Sequence, residues 1–422
     1  MPYIIILLYI FISIGYMLKE YKKYYISPSL IFVFFQLIMF LGIVFLFDNK
    51  SISDWKLIFL YFIALITFII GDILFANREN RIKYYKIEEK LELRENKKIR
   101  MLVIVSISLI ICFMFFSRTQ NVFFLTIESI LKGNVQDYSE LRKEINFTEG
   151  SGYIYALRVY IIPFITFYFL FCEKNKMIGL ILLPFSIIFL LASGQRGGFI
   201  YITITIILFI MMNNKYGKNI QLLKIKKLRI ILLFSIIVFL AFTIANGRQT
   251  VSGSLFSATI DRLFKDNQYC AIIAFKFINI QPIQWGKDWL NMFVSILPGN
   301  HTYIPLATLV FSFIYGGSLA GTSPPCIWGS VYYNWGIAGV AIIPFILGIC
   351  YKRLYFSLFS KPLSKYRVFY YAFLFYTAGS WMLDSPMFFL NDGFIIIVLL
   401  NIMITFSVEK NSVFKLNEKS DY

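Results

Sequence analysis

The chain has 422 residues, 58% of them hydrophobic, 19% aromatic and 15% charged, with a formal net charge of +18. Soluble proteins are about a quarter charged, so this composition excludes a water-soluble globular enzyme. Many long apolar runs predict an all-α, polytopic integral membrane protein, and the lack of alternating ten-residue segments excludes an outer-membrane barrel.

Apolar segments fall at about 3–18, 28–47, 57–76, 101–117, 154–171, 178–193, 198–212, 230–246, 326–350, 368–383 and 394–408. They predict about eleven spans in a single membrane domain over 1–422. The first, Met1 to Leu18, has no basic leader region or small-residue cleavage site and reads as a retained helix. The uncharged runs on either side of Arg196 extend from Ile178 to Met212. One helix of that length would measure roughly 50 Å against roughly 30 Å of hydrocarbon, so a short turn at Ser193–Gly198 is expected to divide it. Gly197 and Gly198 are expected to supply positive φ there or to admit a close neighbour.

Lysine and arginine set the orientation. The segments 19–25, 77–100, 172–177, 213–229, 351–367 and 409–422 carry 28 basic and ten acidic residues. The alternate segments 48–56, 118–153, 194–197, 247–325 and 384–393 carry twelve of each. All the net charge therefore belongs to one face, expected to be cytoplasmic, and it reports topology and anionic lipid rather than nucleic acid. The odd helix count places the N-terminus outside.

The cytoplasmic segment 77–100 mixes Lys, Arg and Glu at helical spacing, as a solvated helix does. No GxxxxGK[ST] loop or strand-borne GxGxxG turn occurs, so no nucleotide site is expected inside. The outer loops are larger. In 118–153, Val135, Tyr138, Leu141 and Ile145 share one side of an expected surface helix. The loop 247–325 contains a partly apolar helix near Tyr269–Ile280 and an apolar stretch at Tyr303–Tyr315, which is re-entrant, surface-lying or an additional span. Loops this long are usually functional.

Five cysteines without CxxC spacing and one histidine, His301, argue against zinc, and no DxD pair is present to hold a metal–nucleotide complex. No cofactor is expected. Cys270 and Cys326 both fall in the second outer loop, which leaves a disulfide open. Three arginines, Arg158, Arg196 and Arg248, lie at one depth on the outer side, each in or beside a helix. Guanidiniums there, with a helix N-terminus near Phe199, suit a multiply charged anion. Each also has a plainer reading. Arg196 is then a snorkelling anchor and Arg158 the partner of a carboxylate such as Asp384; Arg248, Arg118 and Arg142 are merely solvated. Candidate bases outside are Glu140, Asp261, Asp266, Asp288, Asp384 and His301, although a lone histidine is usually an ordinary loop residue. Asp72, beside Gly71 near the cytoplasmic end of its helix, reads as structural.

Three features in order resemble the O-antigen and capsule repeat-unit polymerases (Wzy-type). They are the turn Gln195-Arg196-Gly197-Gly198, the long late loop after Arg248, and the run Gly329-Ser330-Val331-Tyr332-Tyr333-Asn334-Trp335-Gly336-Ile337-Ala338-Gly339. The first loop, with Ser139-Glu140-Leu141-Arg142 and Gly150-Ser151-Gly152, is similar too. Many relatives carry an acidic residue where this chain has Ser330, so no catalytic carboxylate is placed there.

The resemblance implies a GT-C-like membrane glycosyltransferase in a bacterial inner membrane. Such an enzyme joins polyprenyl-pyrophosphate-linked oligosaccharides at the outer face without metal. It also suggests roles for Arg196 and Arg158 on pyrophosphate, for Arg248 on the leaving charge or on the second lipid, and for His301 as a candidate base. Arg142, Gly197, Gly198, Tyr333 and Asn334 would contact substrate. The lipid bilayer, a flippase and a chain-length regulator are the implied partners. A lipid-linked oligosaccharide flippase and an O-antigen ligase remain as alternatives; the long outer loop speaks against the first, and His301 keeps the second open.

Overall fold

A computed structural model describes residues 2–78, 95–119, 121–132, 150–193, 197–216, 267–294, 303–317, 321–323, 325–360, 363–380 and 393–405, with Leu141, Glu144, Ile145 and Thr148 singly. The described regular structure is helical throughout. In chain order the helices are α1 (Pro2–Tyr24), α2 (Pro28–Leu46), α3 (Ile52–Arg78), α4 (Glu95–Arg118), α5 (Val122–Leu131), α6 (Ser151–Phe171) and α7 (Met177–Leu191). There follow α8 (Gly197–Tyr216), α9 (Asn267–Ile278), α10 (Lys287–Val294), α11 (Leu306–Ile314), α12 (Ile327–Ser357), α13 (Lys365–Gly379) and α14 (Phe394–Thr405).

Among the described residues seven helices, α1 to α4, α6, α8 and α12, are long and apolar enough to cross a membrane. The chain is a multi-pass membrane protein. Of the eleven expected segments, 230–246 lies outside the described residues, as do 381–383 and 406–408 of two others; the described residues of the remaining ten fall almost entirely in helices. The long loop forms helices of its own. The helix near Tyr269–Ile280 is α9, and it packs into the bundle: Ala271, Ala274 and Ile278 are fully buried. The Tyr303–Tyr315 stretch forms α11, whose nine residues span roughly 14 Å and cannot cross. Of the apolar face expected for the surface helix in 118–153, Leu141 and Ile145 are described and Val135 and Tyr138 lie outside the described residues; Ile145 is buried. Cys270 and Cys326 form no disulfide; Cys326 caps α12, its Sγ accepting from the Gly329 N–H at 3.3 Å.

Two apolar cores organise the bundle. One is built from α1, α2, α3, α9, α11 and α12, and the other largely from α4, α6, α7, α8, α13 and α14. Local signals start the helices where the sequence predicts. Ser27 caps α2, its Oγ accepting from the Leu30 N–H at 3.1 Å, and Pro28 supplies a preset φ at the first helical position. Tyr3, Phe47 and Trp55 meet edge to face, which puts the start of α1, the end of α2 and the start of α3 at one end of the bundle.

The tightest crossing is α3 on α12. A Cβ on Gly71 would lie 2.1 Å from the Phe345 carbonyl oxygen, and one on Gly348 would lie 2.3 Å from that of Phe68. Only glycine lets two backbones approach so closely, the usual device for joining helices in lipid. The crossing brings Lys352, one turn beyond Gly348, to Asp72 beside Gly71. The Lys352 ammonium lies 2.9 Å from Asp72 Oδ2, donates to both Glu20 carboxylate oxygens at 2.8 Å and sits 3.8 Å from the centre of the Tyr24 ring. Ser29 donates to Asp72 at 2.6 Å and Ser27 to Glu20 at 3.1 Å. The expectation that Lys352 and Glu20 lie in loops is thus corrected: both are buried, and α12 continues to Ser357. Moving one base and one acid out of the loop count leaves the net asymmetry between the faces unchanged. Asp72 is structural, as its position suggests.

Candidate functional site

The α6 span starts at Ser151, and its backbone changes pitch over Leu157–Ile161, where a π turn closes with the Ile162 N–H donating to the Leu157 carbonyl. Pro163 follows immediately and has no N–H to give, so the ordinary ladder is interrupted there. Arg158 sits within that turn and is 2% exposed. Its guanidinium donates to the Leu190 carbonyl oxygen at 3.1 Å and lies 5.1 Å from the centre of the Tyr155 ring. Leu190 belongs to the last turn of α7, whose carbonyls have no partner within the helix. A cation at a helix C-terminus is favoured on charge grounds as well. The expected Asp384 partner lies outside the described residues.

The break expected at Ser193–Gly198 is present: α7 ends at Leu191 and α8 begins at Gly197. The Val122 N–H donates to the Ala192 carbonyl at 2.9 Å, tying the start of α5 to this turn. Gly197 and Gly198 do not use positive φ; both are in the first turn of α8. Gly198 is required for closeness instead, because a Cβ there would stand 2.9 Å from Val159 Cγ2. A Cβ on Gly197 would meet open space, and Gly197 is exposed. The structure therefore joins Arg158, Gly197 and Gly198 at the α6–α7–α8 corner. Arg196, the residue before Gly197, lies outside the described residues, as do Arg142, Arg248 and His301.

The Gly329–Gly339 run does mechanical work at the start of α12. Gly336 adopts φ +63 and ψ −159, which interrupts the helix. The carbonyls upstream of the break then accept from the preceding loop: Tyr333 from the Gln284 N–H at 2.9 Å and Asn334 from the Gly286 N–H at 3.2 Å. The Asn334 side chain, fully buried, donates to Asp288 at 3.1 Å and to the Ser330 carbonyl at 3.0 Å. Ser330 in turn accepts from the Trp289 indole at 3.1 Å. Tyr303 donates to the other Asp288 oxygen. Asn334 thus holds α10 against α12, and Tyr333 is largely buried beside it. Lys56, at the start of α3, donates to Asn279 at 2.7 Å and to Tyr332 at 2.6 Å, joining the same end of the bundle.

Burial raises the Asp288 pKa, opposed by its bonds from Tyr303, Asn334 and the Leu306 backbone. A carboxyl raised on folding stabilises fully below its unfolded pKa, and that contribution is lost as pH rises through the folded value. Docking of α10 is therefore expected to be firmer just below the ordinary aspartate range than at neutrality. Gly286 is the sharpest test of this docking. Its φ is +79, and a Cβ there would lie 2.3 Å from Trp335 Cζ2. Gly286→Ala is expected to weaken docking by about 1–3 kcal/mol, read as faster proteolysis of the 280–294 segment in detergent. Gly150→Ala, with φ +80 but no atom within 4 Å, should show only the smaller backbone penalty.

Glycine spacing marks the 329–339 run in the sequence. Asp288 is among the bases the sequence offers, but its union with Asn334 has no local signal. Compared with family models, curated proteins and solved structures, the chain matches none.

Proposed function

We propose that this chain is a membrane glycosyltransferase that polymerises polyprenyl-pyrophosphate-linked oligosaccharide repeat units at the outer face of a bacterial cytoplasmic membrane, on a GT-C-like scaffold of about eleven spans. The observation that carries the reading is the corner where buried Arg158 bonds the end of α7 and Gly198, two residues after Arg196, packs on Val159. Arg158 is one permanent cation at this corner, and Arg196 immediately precedes Gly197 in the sequence. The likeness of Gln195–Gly198 and Gly329–Gly339 to repeat-unit polymerases names the anion as pyrophosphate.

In this reading the acceptor hydroxyl of one lipid-linked unit attacks the anomeric carbon of the chain held on another. The new glycosidic C–O bond forms as the C–O bond to pyrophosphate breaks. The hydroxyl proton passes to a base, for which His301 is the candidate, and polyprenyl pyrophosphate leaves. Arg196 and Arg158 bind the pyrophosphate, and Arg248 and Arg142 stabilise the leaving charge or grip the second lipid. Fixed cations aimed at developing charge commonly contribute several kcal/mol.

Arg196→Ala is expected to abolish polymer ladders in cells while single repeat units still reach the surface. Normal ladders with the variant at wild-type abundance would remove Arg196 from the site.

A further inference from the structure

Helix α10 has its polarity inside out. Its buried face carries Asp288 and Met292, whereas Leu290 is 64% exposed and Phe293 and Val294 are nearly half exposed. Trp285, in the turn leading into α10, is 75% exposed. A short helix in a water-facing loop shows the opposite arrangement, with its carboxylate outward and its large apolar side chains inward. Here Asn334 and Tyr303 hold the carboxylate inward, so the apolar face is fixed outward.

The depth of α10 follows from its docking point. It is bonded to α12 at Ser330 and Asn334, while α12 ends its charged contacts at Lys352 near the lysine-rich end. From Lys352 back to the break at Gly336 the helix rises roughly 24 Å, against roughly 30 Å of hydrocarbon, and Asn334 and Ser330 lie beyond that break. Between these levels Ala338, Ile342, Ile346 and Cys350, spaced four apart along α12, are all exposed, as a lipid-facing strip is. Trp289 of α10 and Trp335 of α12 meet with ring centres 6.1 Å apart at the top of that strip. The exposed face of α10 thus adjoins the lipid-facing surface of a span at the boundary between hydrocarbon and headgroups. Exposed Lys287 suits the same level, its stem on apolar surface and its ammonium among phosphates.

We infer that Trp285 and the Leu290–Phe293–Val294 face of α10 dock into the outer leaflet of the bilayer, anchoring the long loop at the acyl–headgroup boundary. The anchor is independent of the glycan chemistry; it requires that α12 crosses the membrane with its lysine-rich end inside.

The full-length protein, reconstituted in phosphatidylcholine vesicles, provides the test. The emission of wild type minus Trp285→Phe isolates Trp285. That difference emission is expected to be quenched by phosphatidylcholine brominated near the top of its acyl chains, less by lipid brominated deep in the bilayer, and not by aqueous iodide. Quenching by iodide would overturn the inference, because the face is then in water. Resistance to both quenchers would overturn it too, because protein then covers the face. Leu290→Trp in the Trp285→Phe background must restore the bromolipid-sensitive emission, which guards against a local disturbance by the first variant.

Discussion

Replacing Lys352 by methionine is expected to destabilise the protein by about 3–5 kcal/mol, because two carboxylates then remain buried without their cation. Glu20 and Asp72 are each within 3 Å of the Lys352 ammonium, and all three groups are almost wholly buried. The loss should appear as a lower temperature for half-loss of monodisperse protein in detergent. The triple variant Glu20→Gln, Asp72→Asn, Lys352→Met should recover most of it, since a neutral, well-packed replacement of a whole buried ion cluster is often close to neutral. A single variant as stable as wild type would mean that the cluster does not join α1, α3 and α12.

Gly348→Val is expected to cost about 3 kcal/mol or more, through overpacking and loss of the same ion cluster. A Cβ on Gly348 meets the Phe68 carbonyl oxygen at 2.3 Å and the Asp72 amide nitrogen at 2.7 Å, both backbone atoms with little room to yield. The helices must separate, which draws Lys352 away from Asp72. Gly15→Val is the matched control, because a Cβ on Gly15 meets nothing within 4 Å. It should stay within about 0.5 kcal/mol of wild type. Equal effects of the two substitutions would contradict the close α3–α12 crossing.

Much of this frame is legible in the sequence because it depends on local rules. Ser27-Pro28 ahead of an apolar run announces the start of α2, and an apolar run too long for one span announces the break before Gly197. What the sequence hides is long-range partnership. Lys352 looks like the first residue of a loop because a lysine normally ends an apolar segment; only Glu20 and Asp72, distant in the chain, make its burial affordable. Gly336 resembles other glycines in membrane helices, and its kink is visible only once the freed carbonyls meet Gln284 and Gly286. Gly198 carries the reverse lesson. Its need for glycine lies in the approach of Val159 and not in its own φ.

For the candidate site, the sequence places arginines near helix ends on one face, and the structure gives Arg158 a defined seat at the α6–α7–α8 corner. The buried carboxylate at Asp288 has a mechanical role that residue type alone does not reveal. It fastens the loop helix to the broken start of α12, and so sets the position of that loop helix relative to the spans.

The most direct measurement is a reconstituted reaction: purified protein in liposomes, supplied with a polyprenyl-pyrophosphate-linked repeat unit as the sole glycan. The proposed polymerase activity predicts a ladder of products differing by one repeat unit, with release of polyprenyl pyrophosphate. Movement of the lipid-linked unit across the bilayer without bond formation, or transfer only to a different added acceptor, would contradict it.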